Sequence, residues 1–223
     1  MKKVAIVVSV GLNIFFLAAT IALFVAAASG YLIRLFIEPA HERWVSQFEE
    51  LPIDPGDSVF LGDSITEGGS WHELFPESPV RNRGIGGDVT LGVLQRIDQV
   101  RRGRPGQVFL LIGTNDLAFG IPESEIVGNI QKIVSEIHAE SEHTEVYVQS
   151  VLPRDVEYRE QVESLNRALQ PAIDGVATWI DLYPIFLDSD GSIKNEYSND
   201  ELHLLGAGYV VWREAIKKFV RTN

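Results

Sequence analysis

The sequence predicts a three-layer α/β/α domain built on a five-stranded parallel sheet, preceded by an amino-terminal transmembrane helix. Three observations carry this. From Ser58 onward, short apolar runs alternate with stretches of helical apolar spacing, the pattern of strands joined by crossover helices. One run, Val108 to Ile112, is apolar without interruption, as in a strand covered on both faces. Finally, residues 4–33 contain no charged side chain.

Lys2 and Lys3 precede that uncharged segment and Arg34 follows it. As a helix it would be about 45 Å long, against roughly 30 Å of bilayer hydrocarbon. The length favours an uncleaved anchor over a signal peptide, whose apolar region is about 7–15 residues long. Ala26-Ala27-Ala28-Ser29 has the small side chains a signal peptidase accepts and keeps the cleaved alternative open. The positive flank holds the amino terminus on the cytoplasmic side, so the folded domain is expected to be periplasmic or extracellular, and secreted if the segment is cleaved. Residues 1–37 are read as the anchor, 38–56 as a linker helix and 57–223 as the domain.

Lys2, Lys3 and Arg34 are the only basic residues before Glu38, and every acidic residue lies at or beyond it, so the domain's formal charge is 16 minus 31, or −15. Such a surface argues against nucleic acid and anionic headgroups as partners. The chain has no cysteine, which excludes disulfides and thiolate metal sites. Its five histidines form no His-Glu-x-x-His pattern, so neither a zinc centre nor any other cofactor is expected.

Arg34 to Leu51 places Trp44, Val45 and Phe48 among charges and reads as a short amphipathic helix whose apolar face joins the core or lies on the membrane, the core being the simpler choice. Val59–Leu61 is the first strand and Val80–Asn82 the second. Thr90–Val100 is a helix, with Leu91, Leu94, Ile97 and Val100 at helical spacing. After the strand Val108–Ile112 comes the helix Pro122–His138, then the strand Val146–Val151, the helix Val156–Ile173, the strand Val176–Leu182 and a closing helix, Gly208–Val220. Ligands in such folds bind outside the carboxyl ends of the strands. There the sequence places Gly62-Asp63-Ser64, Gly86-Gly87-Asp88 and Gly113-Thr114-Asn115-Asp116.

Ser64, in a tight turn after a buried strand, is suited to be a nucleophile if a base can reach it. His203 is the candidate base, with Asp200 three residues upstream in the same loop to orient it. His72 would have to fold back along the chain, and His41, His138 and His143 suit surface roles. Developing negative charge on an acyl oxygen needs donors; the backbone N–H groups of Ser64 and Gly87 and the Asn115 amide are the candidates. Trp71, Leu117 and Phe119 are candidate substrate-contacting walls, although core packing accounts for them about as well. Asp63 more simply holds the turn. Asp188-Ser189-Asp190-Gly191 does not fit a calcium loop, because its glycine comes too early and the bidentate glutamate is missing. Gly84-Ile85-Gly86 does not fit a dinucleotide loop, because Val89 occupies the third glycine position.

Gly62-Asp63-Ser64-Ile65-Thr66, Gly84-Ile85-Gly86-Gly87-Asp88, Gly113-Thr114-Asn115-Asp116 and Asp200-Glu201-Leu202-His203 resemble the four ordered blocks of the GDSL, or SGNH, hydrolases. Trp71-His72-Glu73-Leu74-Phe75, Val151-Leu152-Pro153-Arg154 and the run from Leu202 to Tyr209 are most similar to the platelet-activating-factor acetylhydrolase branch. The resemblance implies a flavodoxin-like strand order, 2-1-3-4-5. It also implies Ser64 as nucleophile, Gly87 and Asn115 as oxyanion donors, Asp200 as orienting acid and His203 as base and then acid. The charge-free amino-terminal segment departs from that intracellular branch. The expected activity is hydrolysis of a short acyl ester, acetyl foremost, of a lipid or glycan. The rivals are O-acyl transfer to a sugar hydroxyl and a non-catalytic binding module. The expected partners are the ester and, through residues 4–33, the membrane; a homodimer is left open.

Overall fold

A computed structural model describes Thr20 and residues 38–222. The anchor expected over residues 4–33 and the helix start expected at Arg34 lie outside the described residues. Among the described residues no helix is long and apolar enough to cross a membrane. The chain divides between Arg43 and Trp44, inside helix α1 (Glu38–Glu50), and the unit from Trp44 onward holds the whole sheet.

Strand β1 (Ser58–Gly62) runs into two one-turn helices, α2 (Ser64–Glu67) and α3 (Trp71–Leu74), before β2 (Val80–Gly84). Helices α4 (Thr90–Gln95) and α5 (Asp98–Gly103) lead to β3 (Gln107–Leu111), α6 (Thr114–Ala118), α7 (Glu123–Glu140) and β4 (Glu145–Gln149). A 3₁₀ turn at Val156–Tyr158 opens α8 (Arg159–Ala172); β5 (Thr178–Ile180), α9 (Tyr183–Phe186) and α10 (Gly206–Ile216) follow.

All neighbouring strands are parallel and their order is β2-β1-β3-β4-β5, as the resemblance implied. The register explains the uninterrupted apolar strands. Val59 aligns with Val108 and Val146, and Leu61 with Leu110, which pairs with Val148; all six face α7 and α8, whose Ile126, Ile130, Ile133, Val162, Leu165 and Leu169 complete that core. Their neighbours Phe60, Phe109 and Tyr147 align on the opposite face and stack at ring separations of 5.1 and 4.7 Å, covered by Trp71, Phe186, Trp212 and Ile216. Alternating side chains thus feed two cores, giving the three layers. The linker helix joins the domain: Phe48 is buried beneath the Arg83 guanidinium, which lies 4.6 Å from its ring centre.

Several boundaries differ from expectation for identifiable reasons. The helix expected over Thr90–Val100 is broken at Arg96 and Ile97, where the Arg96 side chain turns inward to meet Asp88. Strand β5 is three residues long, because Val176 and Ala177 close the turn after α8 through bonds to the Ile173 carbonyl and the Leu182 N–H is taken by Ser150 Oγ. The last helix starts at Gly206 and stops at Ile216, after which the Phe219 carbonyl accepts from Gln107 Nε2.

Candidate active site

Ser64 is positioned by close packing. A Cβ on Gly62 would sit 2.2 Å from the Leu111 carbonyl oxygen, so only glycine lets β1 end flush against β3. Asp63 then caps α2, its Oδ1 accepting from the Ile65 N–H at 3.0 Å, and Ser64 becomes the first helical residue. Burial pushes the Asp63 carboxyl up to about 7, with Asp88 and Asp116 adding to the effect and the Ile65 N–H opposing it. Asp63 therefore serves the turn, as its local hydrogen bond requires.

The loop after Ser198 brings the base across to that serine. His203 Nε2 lies 3.0 Å from Ser64 Oγ, and its Nδ1 lies 2.7 Å from Asp200 Oδ2. Asp200 Oδ1 also accepts from the His203 and Leu202 backbone N–H groups at 2.7 and 3.1 Å. Partial burial would raise the Asp200 carboxyl, but these bonds outweigh it and bring it down to about 2. Asp200 is thus an anion at neutral pH, suited to stabilise an imidazolium. Glu201, between them, adopts the left-handed region at φ 62°, which curls the loop tightly enough for one short segment to supply both groups.

The donor loop lies beside the serine. A Cβ on Gly86 would be 3.9 Å from Ser64 Cβ, and Gly87 has φ +77°, a conformation that favours glycine. Asn115, near the start of α6, donates from Nδ2 to the Asp88 carbonyl at 2.9 Å and so ties its own helix to this loop. A side-chain amide has two N–H donors, which leaves the second for a ligand.

Known proteins carry the same arrangement of sequence and fold. The family model described as GDSL-like Lipase/Acylhydrolase family matches residues 60–211. The chain belongs to this family. Platelet-activating factor acetylhydrolase IB subunit alpha1 of Homo sapiens is 32% identical over 182 residues, which cover 75% of this chain and 78% of the relative. A structure from Streptococcus pneumonia, described as a platelet activating factor, superposes with a TM-score of 0.80 at 26% identity, over 87% of this chain and 99% of that one. A protein from Bacteroides fragilis described as an acylhydrolase gives 0.71 at 27% identity, over 79% of this chain and 93% of that one. This GDSL-like protein is accordingly an ester hydrolase.

Within the GDSL-like hydrolase, the structure separates the three expected wall residues. Trp71 is a correction: it is only 1% exposed, stacks on Phe60 at 4.0 Å and meets Trp212 edge-on at 4.8 Å, so it is core. It supports the site from the core side, donating from Nε1 to the Thr66 carbonyl of α2. Leu117 and Phe119 follow Asn115 directly. Leu117 is half-buried against the core, while Phe119 is 61% exposed.

Sequence reasoning passed over the supports. Arg96 and Asp88 form a buried ion pair at 2.7 Å, and Arg96 also donates to the Gly62 and Arg83 carbonyls, joining the ends of β1 and β2 to the donor loop. Its signal was present: Arg96 lies three residues after Val93 and four before Val100, a charge on an apolar stripe. Glu67 Oε2 accepts from the Gly86 N–H at 2.6 Å, and Ser198 Oγ contacts Asp200 Oδ1 at 3.3 Å. Tyr209 donates to the Ile65 carbonyl at 2.9 Å. Among the described residues no cluster of histidines and carboxylates could hold a metal ion.

Proposed function

We propose that this protein is an outward-facing, membrane-anchored serine esterase that removes a short acyl group, foremost acetyl, from a lipid or glycan through an acyl-enzyme. The observation that carries the reading is the chain of two short contacts from Ser64 Oγ through His203 to Asp200, 3.0 and 2.7 Å. In the first half-reaction His203 Nε2 takes the serine proton as Oγ attacks the acyl carbonyl. The backbone N–H groups of Ser64 and Gly87 and the free N–H of the Asn115 amide receive the developing oxyanion. His203 then protonates the departing alcohol, and water repeats the sequence to release the acid.

Short acyl groups are favoured because the site is open: the Asp200 and His203 side chains keep 48% and 47% of their surface. The relatives named for acetylhydrolysis point the same way. The location rests on Lys2, Lys3 and the uncharged residues 4–33. An open site also admits a sugar hydroxyl in place of water, so acyl transfer is assayed alongside hydrolysis. The test uses the full chain in detergent with chromogenic esters from acetyl to dodecanoyl. Turnover is expected to peak at the short chains and to fall by more than about 10⁴-fold in Ser64→Ala. Equal turnover by Ser64→Ala would overturn the mechanism, and a peak at dodecanoyl would overturn the short-acyl assignment.

A further inference from the structure

We infer that Glu67 is a positioning residue, whose carboxylate fastens the Gly86–Gly87 loop to the helix carrying Ser64 and thereby sets the distance between nucleophile and oxyanion donors. The inference rests on the esterase reading above and deepens it.

Glu67 stands three residues after Ser64 in the single turn of α2, so one rigid unit presents both side chains. Its Oε2 accepts from the Gly86 N–H at 2.6 Å, and hydrogen bonds to an ionised acceptor are shorter and stronger than neutral ones. A Cβ on Gly86 would lie 2.9 Å from that oxygen, so the carboxylate is seated directly against the loop backbone. The same point is 3.9 Å from Ser64 Cβ, which puts the fastened residue next to the nucleophile and one position before the donor Gly87.

The other ties between α2 and its surroundings act elsewhere. Asn82 Nδ2 donates to the Glu67 carbonyl at 2.9 Å, and Gly84 packs so closely that a Cβ would sit 2.1 Å from the Glu67 nitrogen. Both fix the helix on β2, and neither reaches past Gly84. Other anchors of the loop lead to other elements: the Ile85 N–H to the Gly62 carbonyl of β1, the Asp88 carboxylate to Arg96, and the Asp88 carbonyl to Asn115 of α6. The Glu67 carboxylate joins the donor loop to the nucleophile's own helix. It is not a rival orienting acid, because His203 uses Nδ1 for Asp200 and Nε2 for Ser64.

Glu67→Ala removes the fastening, whereas Glu67→Gln keeps an acceptor oxygen of the same reach without the charge. Because a displacement of about 1 Å at a reacting centre costs on the order of 10²-fold, Glu67→Ala is expected to lose about 10- to 100-fold in kcat on an acetyl ester, with KM within about twofold. Glu67→Gln should stay within about threefold of the parent. Glycine-selective ¹⁵N labelling of the full chain supplies a readout independent of turnover: the Gly86 amide proton is expected far downfield, and to move upfield in Glu67→Ala much more than in Glu67→Gln. Unchanged kcat in Glu67→Ala, a loss confined to KM, or an unmoved Gly86 resonance would each overturn the inference. Absence of ester turnover in the parent chain would instead overturn the esterase reading, while the Gly86 resonance still reports whether the fastening exists.

Discussion

Ser64 stands among buried neighbours, Gly62, Asp63, Ile65 and Thr66, whereas Asp200 and His203 keep about half of their side-chain surface, 48% and 47%, in solvent. The nucleophile is placed by packing: glycine contacts with β3 and β2, a buried cap, and carbonyls of α2 bonded by Trp71 and Tyr209. The base is placed by hydrogen bonds within a loop of a few residues, in which Asp200 accepts from four groups of its own neighbourhood, the Ser198 hydroxyl, the Leu202 N–H, the His203 N–H and the His203 ring. Changes that remove a packed group or a buried bond on the first side should therefore cost stability together with activity, and changes on the second should cost activity alone.

The widest separation is expected for Asp200→Asn. The amide no longer offers the His203 ring an anion, and the tautomer that accepts the serine proton loses its support. Turnover should fall by about 10²- to 10⁴-fold. Because the site is half-exposed, Tm should move by less than about 3 °C, as for a change under roughly 1 kcal/mol. Thermal unfolding and acetyl-ester kinetics on one preparation read both quantities. A large fall in Tm would show that the loop is a structural element and erase the contrast.

Arg96→Ala tests the packed side. The Arg96 and Asp88 side chains are each 2% exposed, and removing the guanidinium takes the cation away from a buried carboxylate. A loss of about 3–5 kcal/mol is expected, or roughly 10 °C in Tm. Activity should fall too, since Asp88 adjoins Gly87 and its carbonyl holds Asn115. Full activity in a destabilised Arg96→Ala would mean that the ion pair supports the fold without setting the donor loop.

The same contrast governs what could be read from the sequence. Ser64, Gly87 and Asn115 announce themselves because each is a polar residue or glycine in a loop that follows an apolar strand, and Asp200 and His203 because an acid and a histidine stand three residues apart in one loop. Strand positions follow from the apolar runs, but their order does not; it came from resemblance, because periodicity is blind to which strands are neighbours. The sequence leaves Trp71 between wall and core for a related reason. An aromatic residue soon after the nucleophile is equally consistent with the crevice and with the core, and the rings that decide, Phe60 and Trp212, lie in other segments. Glu67 was missed because its partner is a backbone N–H 19 residues away, which carries no residue signature; Arg96 left a signal, a charge on an apolar stripe, but the sequence does not say that the Asp88 carboxylate and two strand-end carbonyls receive it.

The smallest expected effect distinguishes the two sides by the sign of their response to pH. Asp63 titrates near 7 in the fold, chiefly because it is buried, against an ordinary value of 3.8. Between about pH 4 and 7 the folded protein keeps a proton that the unfolded chain has released, so stability falls as pH rises through that window and levels off above it. Asp200 runs the other way: held at about 2 by the bonds it accepts, it contributes stability that is present above about pH 4 and lost as pH falls towards 2, a contribution kept small by its exposure. Asp63→Asn keeps an acceptor for the Ile65 N–H and cannot ionise. At pH 8 it should be the more stable of the two in thermal unfolding, by an amount that shrinks as pH falls and reaches about zero below about pH 4. Equal Tm values at pH 8 would mean that the buried carboxylate is stabilised by the field of Arg96, which lies on the same buried network, and that packing on the nucleophile's side tolerates charge better than its burial implies.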